Sequence, residues 1–199
     1  MRPIGAIMVA PNADAAKFPF NEPVSFFTDD VAKIAAAGTG GNVAEIFGAI
    51  ADQGVTCEIC VVRVPVGTGA NAQAILESTL TNIVGNAGSL TGVHAFKGAE
   101  SHTGTKPRLF IAPGYTDMRV SNAANPAVTA LTGIAQRLKG MIVADADAST
   151  RDAANTWRGD FPAEKRIYAV TPFGKVWQNN AYVTKPLSGR VAADRKSVV

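Results

Sequence analysis

Short, almost unbroken apolar runs recur along this chain, at residues 4–10, 59–64, 109–112, 141–144 and 167–170. Between them lie segments whose apolar residues fall at helical spacing, such as Val43, Ile46, Phe47 and Ile50, or Ile75, Leu76, Leu80, Ile83 and Val84. A strand reads as a continuous apolar run only when both its faces are buried, and parallel sheets sandwiched between helices supply that burial. The alternation therefore predicts an α/β fold, a mostly parallel sheet with helices on both faces. At 199 residues such a chain buries roughly 70% of the surface its unfolded form exposes, enough for one sizeable core.

Boundary residues sharpen the elements. A strand at 24–27 precedes a helix begun by Val31, which Thr28 or Asp29 can cap and Gly38–Gly41 stops. Asn42 is placed to cap a helix over 43–51. Helices follow at 70–84 and 92–99, then one that Pro126 opens in its first turn and Gly140 ends, then one at 150–157 capped by Asp147 or Ser149.

The formal net charge of +3 owes much to Arg190, Arg195 and Lys196 near the C-terminus. No Lys/Arg run interleaved with aromatics occurs elsewhere, so the electrostatic signature of a nucleic-acid binder is missing. No apolar stretch reaches the roughly 20 residues that span a bilayer, and the N-terminal run is broken at once by Pro11 and Asn12, unlike a signal peptide. Neither nucleic acid nor membrane is an expected partner. Cys57 and Cys60 lie three apart in a strand-like segment. Side chains three apart on a strand point to opposite faces, so the pair reads as buried structural thiols rather than a redox or zinc site.

Three places could carry chemistry. Val61 to Ile75 (VVRVPVGTGANAQAI) fits G-x-G-x-x-A at Gly67, Gly69 and Ala72, after a strand and before a helix, as a dinucleotide turn requires. The acidic residue that should hold a ribose about 20 residues on is absent, because nothing acidic lies between Glu77 and Glu100. A glycine turn is also the ordinary way to reverse a chain between strand and helix. Asp145 and Asp147 end a strand, where α/β active sites gather, and as alternate residues they could face one side and share a hard cation; helix capping competes for the same carboxylates. His94 and His102 are the only histidines, in a polar stretch without a G-x-S-x-G elbow, and read as surface residues. No catalytic, cofactor-binding or metal residue is assigned and no cofactor is expected; a nucleotide-binding or hydrolytic enzyme using Gly67–Gly69 or Asp145/Asp147 is the alternative.

A resemblance enters from the second half. Thr105-Lys-Pro-Arg-Leu-Phe-Ile-Ala-Pro-Gly-Tyr-Thr116 resembles the "KPR strand, P-G-x-T" segment of contractile-tail sheath proteins of bacteriophages. The order after it is similar too: a helix over 127–138, Arg137-Leu-Lys-Gly-Met-Ile-Val-Ala-Asp145, Trp157-Arg-Gly-Asp-Phe161, Lys165-Arg-Ile-Tyr-Ala-Val-Thr-Pro172 and Pro186-Leu-Ser-Gly-Arg-Val-Ala192. Toward the N-terminus, Asp14-Ala-Ala-Lys-Phe-Pro-Phe-Asn-Glu-Pro-Val24 resembles the family's "FPxNxPV" entry segment, so the likeness covers nearly the whole chain. The similarity is greatest to the sheaths of P2-like and Mu-like myophages.

The resemblance implies a structural protein and not an enzyme: a subunit of the sheath that surrounds the tail tube and contracts to drive it through the host envelope. It would reside in the virion tail, after assembly in the host cytoplasm, with other sheath subunits and the tube protein as partners. It implies a core domain of subtilisin-like topology at 1–189. A bacteriocin or prophage sheath is a near variant. Family members usually carry an arm before the first strand and a C-terminal domain beyond Ala192, whereas residues 190–199 here read as an irregular tail. The expectation is a fragment shortened at both ends and monomeric in solution. Phe18, Phe20 and Phe26 are candidates for apolar surface left open where partners belong, with core packing as the competing reading.

Overall fold

The structure is a computed structural model that describes residues 3–178 and 180–197. Six strands form one sheet in the order β2-β3-β1-β4-β5-β6, where β1 is Ile4–Val9, β2 Pro23–Phe27, β3 Glu58–Val64, β4 Leu109–Ile111, β5 Met141–Asp145 and β6 Ile167–Val170. All neighbours run parallel except the edge strand β2, which is antiparallel to β3 from Pro23↔Val62 to Phe27↔Glu58. The α/β architecture follows from the apolar runs: every residue of β1 is buried, as is every residue of β3 after Glu58.

Two apolar layers flank the sheet. On one face Ile7, Val9, Cys60, Val62, Phe110, Ile142 and Ala144 meet α3 (Ala72–Val84), a 3₁₀ segment (Gly92–Gly98), α4 (Ala99–Thr103), α5 (Pro126–Leu138) and α6 (Arg151–Gly159). On the other, Ile4, Ala6, Met8, Ile59, Val61, Ile111 and Val143 meet Phe18, Phe26, Ile46, Phe47 and Ile50, with Ala192 and Ala193 closing the layer. The two cysteines divide between these layers, Cys60 in the first and Cys57 in the second. Burial pushes the Cys60 thiol up to about 11, so it stays protonated.

Several boundaries differ from the sequence reading. Asp30, rather than Thr28 or Asp29, caps α1 (Val31–Ala36), accepting the Lys33 N–H at 2.9 Å. Thr150, rather than Asp147 or Ser149, caps α6 by accepting the Ala153 N–H at 3.0 Å. The 43–51 helix begins as a π-helical stretch, Ala44–Gly48, and ends as the short α2, Ala49–Ala51, with no side-chain cap. Residues 190–197, expected to be irregular, belong to helix α7, Ser188–Ser197, because Ala192 and Ala193 give it two small buried side chains to set against the second layer. Residues 198 and 199 of that expected tail lie outside the described residues. A two-stranded hairpin absent from the sequence reading, β7 (Gly174–Gln178) and β8 (Ala181–Lys185), forms a separate sheet between β6 and α7.

Of the phenylalanines, Phe18 and Phe26 are core residues in edge contact at 5.8 Å. Phe20 is exposed and its ring supports the Arg63 guanidinium at 4.2 Å. Among the described residues, no helix is long and apolar enough to cross a membrane.

Candidate functional site

In a sheet of this kind the crevice for a ligand opens at the carboxyl ends of the strands, where successive connections leave to opposite faces. Here that point lies between β1 and β4. The chain leaves β1 toward the Phe47 layer and leaves β4 toward α5 in the opposite layer. The gap is filled. Asn42, expected to cap a helix, instead inserts its amide between the strands: Oδ1 accepts the Val9 N–H at 2.9 Å, and Nδ2 donates to Ile7 O and Pro113 O, each at 3.1 Å. Gly41 lets the chain enter that close. Its φ is +57°, and a Cβ on it would sit 1.7 Å from Val9 O, so only glycine fits. Sequence alone offered a nearer use for Asn42, and nothing in its spacing signalled the longer reach.

The glycine turn is closed in a different way. Gly67 N–H donates to Thr79 Oγ1 at 2.9 Å, and Thr68 N–H to Ser78 Oγ at 3.2 Å. Asn82 Nδ2 donates to Pro65 O at 3.0 Å. The turn thus lies along the flank of α3, and a Cβ on Gly67 would fall 2.3 Å from Thr79 N. The start of α3 is occupied by Asn71, whose side chain accepts the Ala74 N–H at 2.9 Å. A pyrophosphate cradle needs backbone N–H groups aimed outward at a helix start, and the Gly67 and Thr68 N–H groups are directed at hydroxyls of α3.

Asp145 and Asp147 do not share a site. Asp145 is fully buried at the end of β5, where its carboxylate caps the start of α7: Oδ1 accepts Leu187 N–H at 2.8 Å and Ser188 N–H at 2.9 Å, and Oδ2 accepts the Ser188 hydroxyl. Asp147 lies beyond the strand and accepts the Ser149 N–H at 2.8 Å and the Ser149 hydroxyl at 2.6 Å. Burial raises the Asp145 carboxyl above the usual range, against the pull of those hydrogen bonds. Among the described residues no group of three or more His, Cys, Asp or Glu is arranged to hold a metal ion. Of the two histidines expected at the surface, His102 is exposed in α4, whereas His94 is half-buried in the 3₁₀ segment, with its Nδ1 buried, because its neighbours Val93, Ala95 and Phe96 pack into the core. Burial, then the Lys97 charge, lowers the His94 pKa.

What the structure assembles at the carboxyl edge is a buried knot that joins the sequence motifs singled out above. Thr116, from P-G-Y-T, uses its hydroxyl twice, accepting Asp145 N–H at 2.9 Å and donating to Asp145 O at 3.1 Å. The Thr116 carbonyl accepts the Trp157 indole N–H at 2.8 Å. Trp157 is wholly buried and packs on Phe161 at 5.2 Å. Asp160, between those two aromatics, holds Arg119 in a two-point pair at 2.6 and 2.8 Å, and that hydrogen bonding draws its carboxyl below the usual range. Ser188, from Pro-Leu-Ser, joins through Asp145. Polar groups hydrogen-bonded to one another in this way fix one arrangement of the elements that carry them; beside them Asp117 keeps a buried Oδ1 without a hydrogen-bond partner. The knot is a fastening of β5, α6, α7 and the loop after β4, and its chemistry is structural.

That result matches what the chain is similar to. No protein-family model matches it. Over 178 residues, 87% of this chain and 42% of the relative, it is 32% identical to the tail sheath protein of Escherichia phage P2. Over 173 residues, 85% of this chain and 41% of the relative, it is 32% identical to the major tail sheath protein of Serratia phage KSP20. The chain is a homologue of the phage tail sheath proteins, and the resemblance read from its motifs is shown over most of its length. It spans about two fifths of the length of these curated relatives.

Proposed function

We propose that this chain is the α/β core of a contractile-tail sheath subunit, in a phage or a phage-derived particle. In this reading it works as a structural part of the virion tail, packed against other sheath subunits around the tail tube and assembled in the host cytoplasm. Shortening of the sheath then drives the tube through the host envelope, and the energy resides in subunit contacts that have two stable packings. Neither catalysis nor a cofactor is part of this function. The supporting observation is the collinear similarity to tail sheath proteins over 87% of the chain. It agrees with the use of Asn42, Gly67 and Asp145 as internal fastenings at the positions where an α/β enzyme would hold its ligand. The test is genetic: with the gene disrupted, electron microscopy of the released particles should find tails without an outer layer. Normally sheathed tails would refute the proposal.

A further inference from the structure

The β7–β8 hairpin pairs with no strand of the six-stranded sheet, and none of its described residues is buried. A two-stranded hairpin by itself is marginally stable at best in water, so its order depends on what ties it to the body. It lies over residues 44–52, the π-helical stretch and α2, without packing down on them. A cavity of about 140 Å³ lies between, lined from the hairpin by Val176, Trp177 and Gln178 and from the body by Ala44, Gly48 and Asp52. A Cβ on Gly48 would meet nothing within 4 Å. The ties are at the base, where Gly174 pairs with Lys185. Gly174 is seated on Leu187, with a Cβ there falling 2.6 Å from Leu187 Cδ2, and Leu187 packs against the second layer. Lys185 Nζ meets Glu45 Oε1 at 2.6 Å, the two side chains being 24% and 17% exposed. Toward the tip, Trp177 and Tyr182 hold each other in edge contact at 5.0 Å and stay exposed.

We infer that the hairpin is a strap latched by the Lys185–Glu45 ion pair. With the pair made, the ladder stays ordered over residues 44–52; with the pair broken, the strap opens and loses its ladder while the six-stranded sheet stays folded. The pair is shielded enough to matter, whereas freely exposed ion pairs contribute little. The gap beneath the tip leaves little apolar contact to take its place. Helix α7 beyond the strap has fastenings of its own, Asp145 on Leu187 and Ser188 and Asp52 on Arg190, so the release stops at the buried Pro186. Ordering and disordering of one segment is a switch of a known kind. Its input here is the charge balance at one pair, and its output is whether Trp177 and Tyr182 are presented together and the 44–52 surface is covered.

Hydrogen exchange of the whole chain, read by mass spectrometry, is the test. Glu45→Gln should speed exchange across residues 174–185 by about tenfold or more, the loss expected for a charged hydrogen bond, and leave β1, β3 and β5 as they were. Reversing both charges, Glu45→Lys with Lys185→Glu, should restore slow exchange. In the parent, about 1 M salt, where the screening length is about 3 Å, should speed the same segment and let trypsin cut after Lys175. Exchange across 174–185 that ignores the substitution or the salt would overturn the inference, and so would a reversed pair no slower than Glu45→Gln. A rise shared by β1, β3 and β5 would overturn it as well, since the pair would then hold the whole fold rather than the strap. Each of these results would leave the sheath assignment standing, because that rests on the alignments.

Discussion

Asp145→Ala should loosen the helix that closes the second layer of the core. The substitution strips the acceptor from two backbone N–H groups, Leu187 at 2.8 Å and Ser188 at 2.9 Å, and from the Ser188 hydroxyl. Loss of an N-terminal cap costs about 1 kcal/mol, and a buried donor left without a partner costs about 1–3 kcal/mol. Ser188 is fully buried, so its N–H gains little from water, whereas its hydroxyl can rotate to another acceptor. Relief of the buried carboxylate offsets part of the loss, since burial already holds Asp145 above its ordinary pKa. The net expectation is a destabilisation of about 3 kcal/mol, or roughly 6–12 °C in Tm for a chain of this size. Urea unfolding followed by tryptophan fluorescence, with Asp147→Ala as the comparison, measures it. Asp147 binds only its local Ser149, so its removal should cost less than about 0.5 kcal/mol, as at an ordinary surface position. Equal effects of the two substitutions, or an Asp145→Ala protein as stable as the parent, would refute the cap and with it the knot.

Four further outcomes follow from the geometry. Asn42→Ala leaves the Val9 N–H and the Ile7 and Pro113 carbonyls without their partner and should cost about 3 kcal/mol by denaturant titration. Burial first, then the charges of Asp145 and Asp147, raise the Asp117 carboxyl. The folded chain therefore keeps a proton that the unfolded chain has lost, and stability falls as pH rises from the unfolded value through the folded one. Asp117→Asn removes that loss, so its stability relative to the parent should increase as pH rises above about 4, the ordinary value of an Asp carboxyl, read from denaturant midpoints at each pH. Gly67→Ala should destabilise by at least about 2 kcal/mol, because its Cβ meets α3 backbone. Thermal melts measure this, and in them ATP, NAD and Mg²⁺ should leave the parent's Tm unmoved, whereas a concentration-dependent rise would revive the nucleotide reading.

The sheet was legible in the sequence because burial on both faces writes itself as unbroken apolar runs, and β1, β3, β4, β5 and β6 fall where those runs do. The hairpin was not legible for the same physical reason in reverse. None of its described residues is buried, so no apolar pattern marks it, and the sign at its turn is local: Asn180 at φ 61°. Helix α7 escaped because, among the described residues, the buried apolar side chains it carries are Ala192 and Ala193, and two alanines carry little hydrophobic periodicity. The caps were misread by one to three residues, since Thr28, Asp29 and Asp30 are chemically alike as caps and the backbone selects among them. The knot's members were visible as motifs, Thr116, Asp145, Trp157 and Ser188, but their connection spans separations of up to 43 residues. Arg63 shows the same limit. It reads as one charge in an apolar strand, and only the fold shows it bound to Ala10 O at 2.9 Å and Phe18 O at 3.1 Å, anchoring the loop that follows β1.

Immunogold electron microscopy bears most directly on the claim that this is a sheath core. Antibodies raised against the chain, applied to particles released by the cells that encode it, should place gold along the outside of the tail over its length. Gold confined to heads, baseplates or soluble material, with bare tail shafts, would contradict the account.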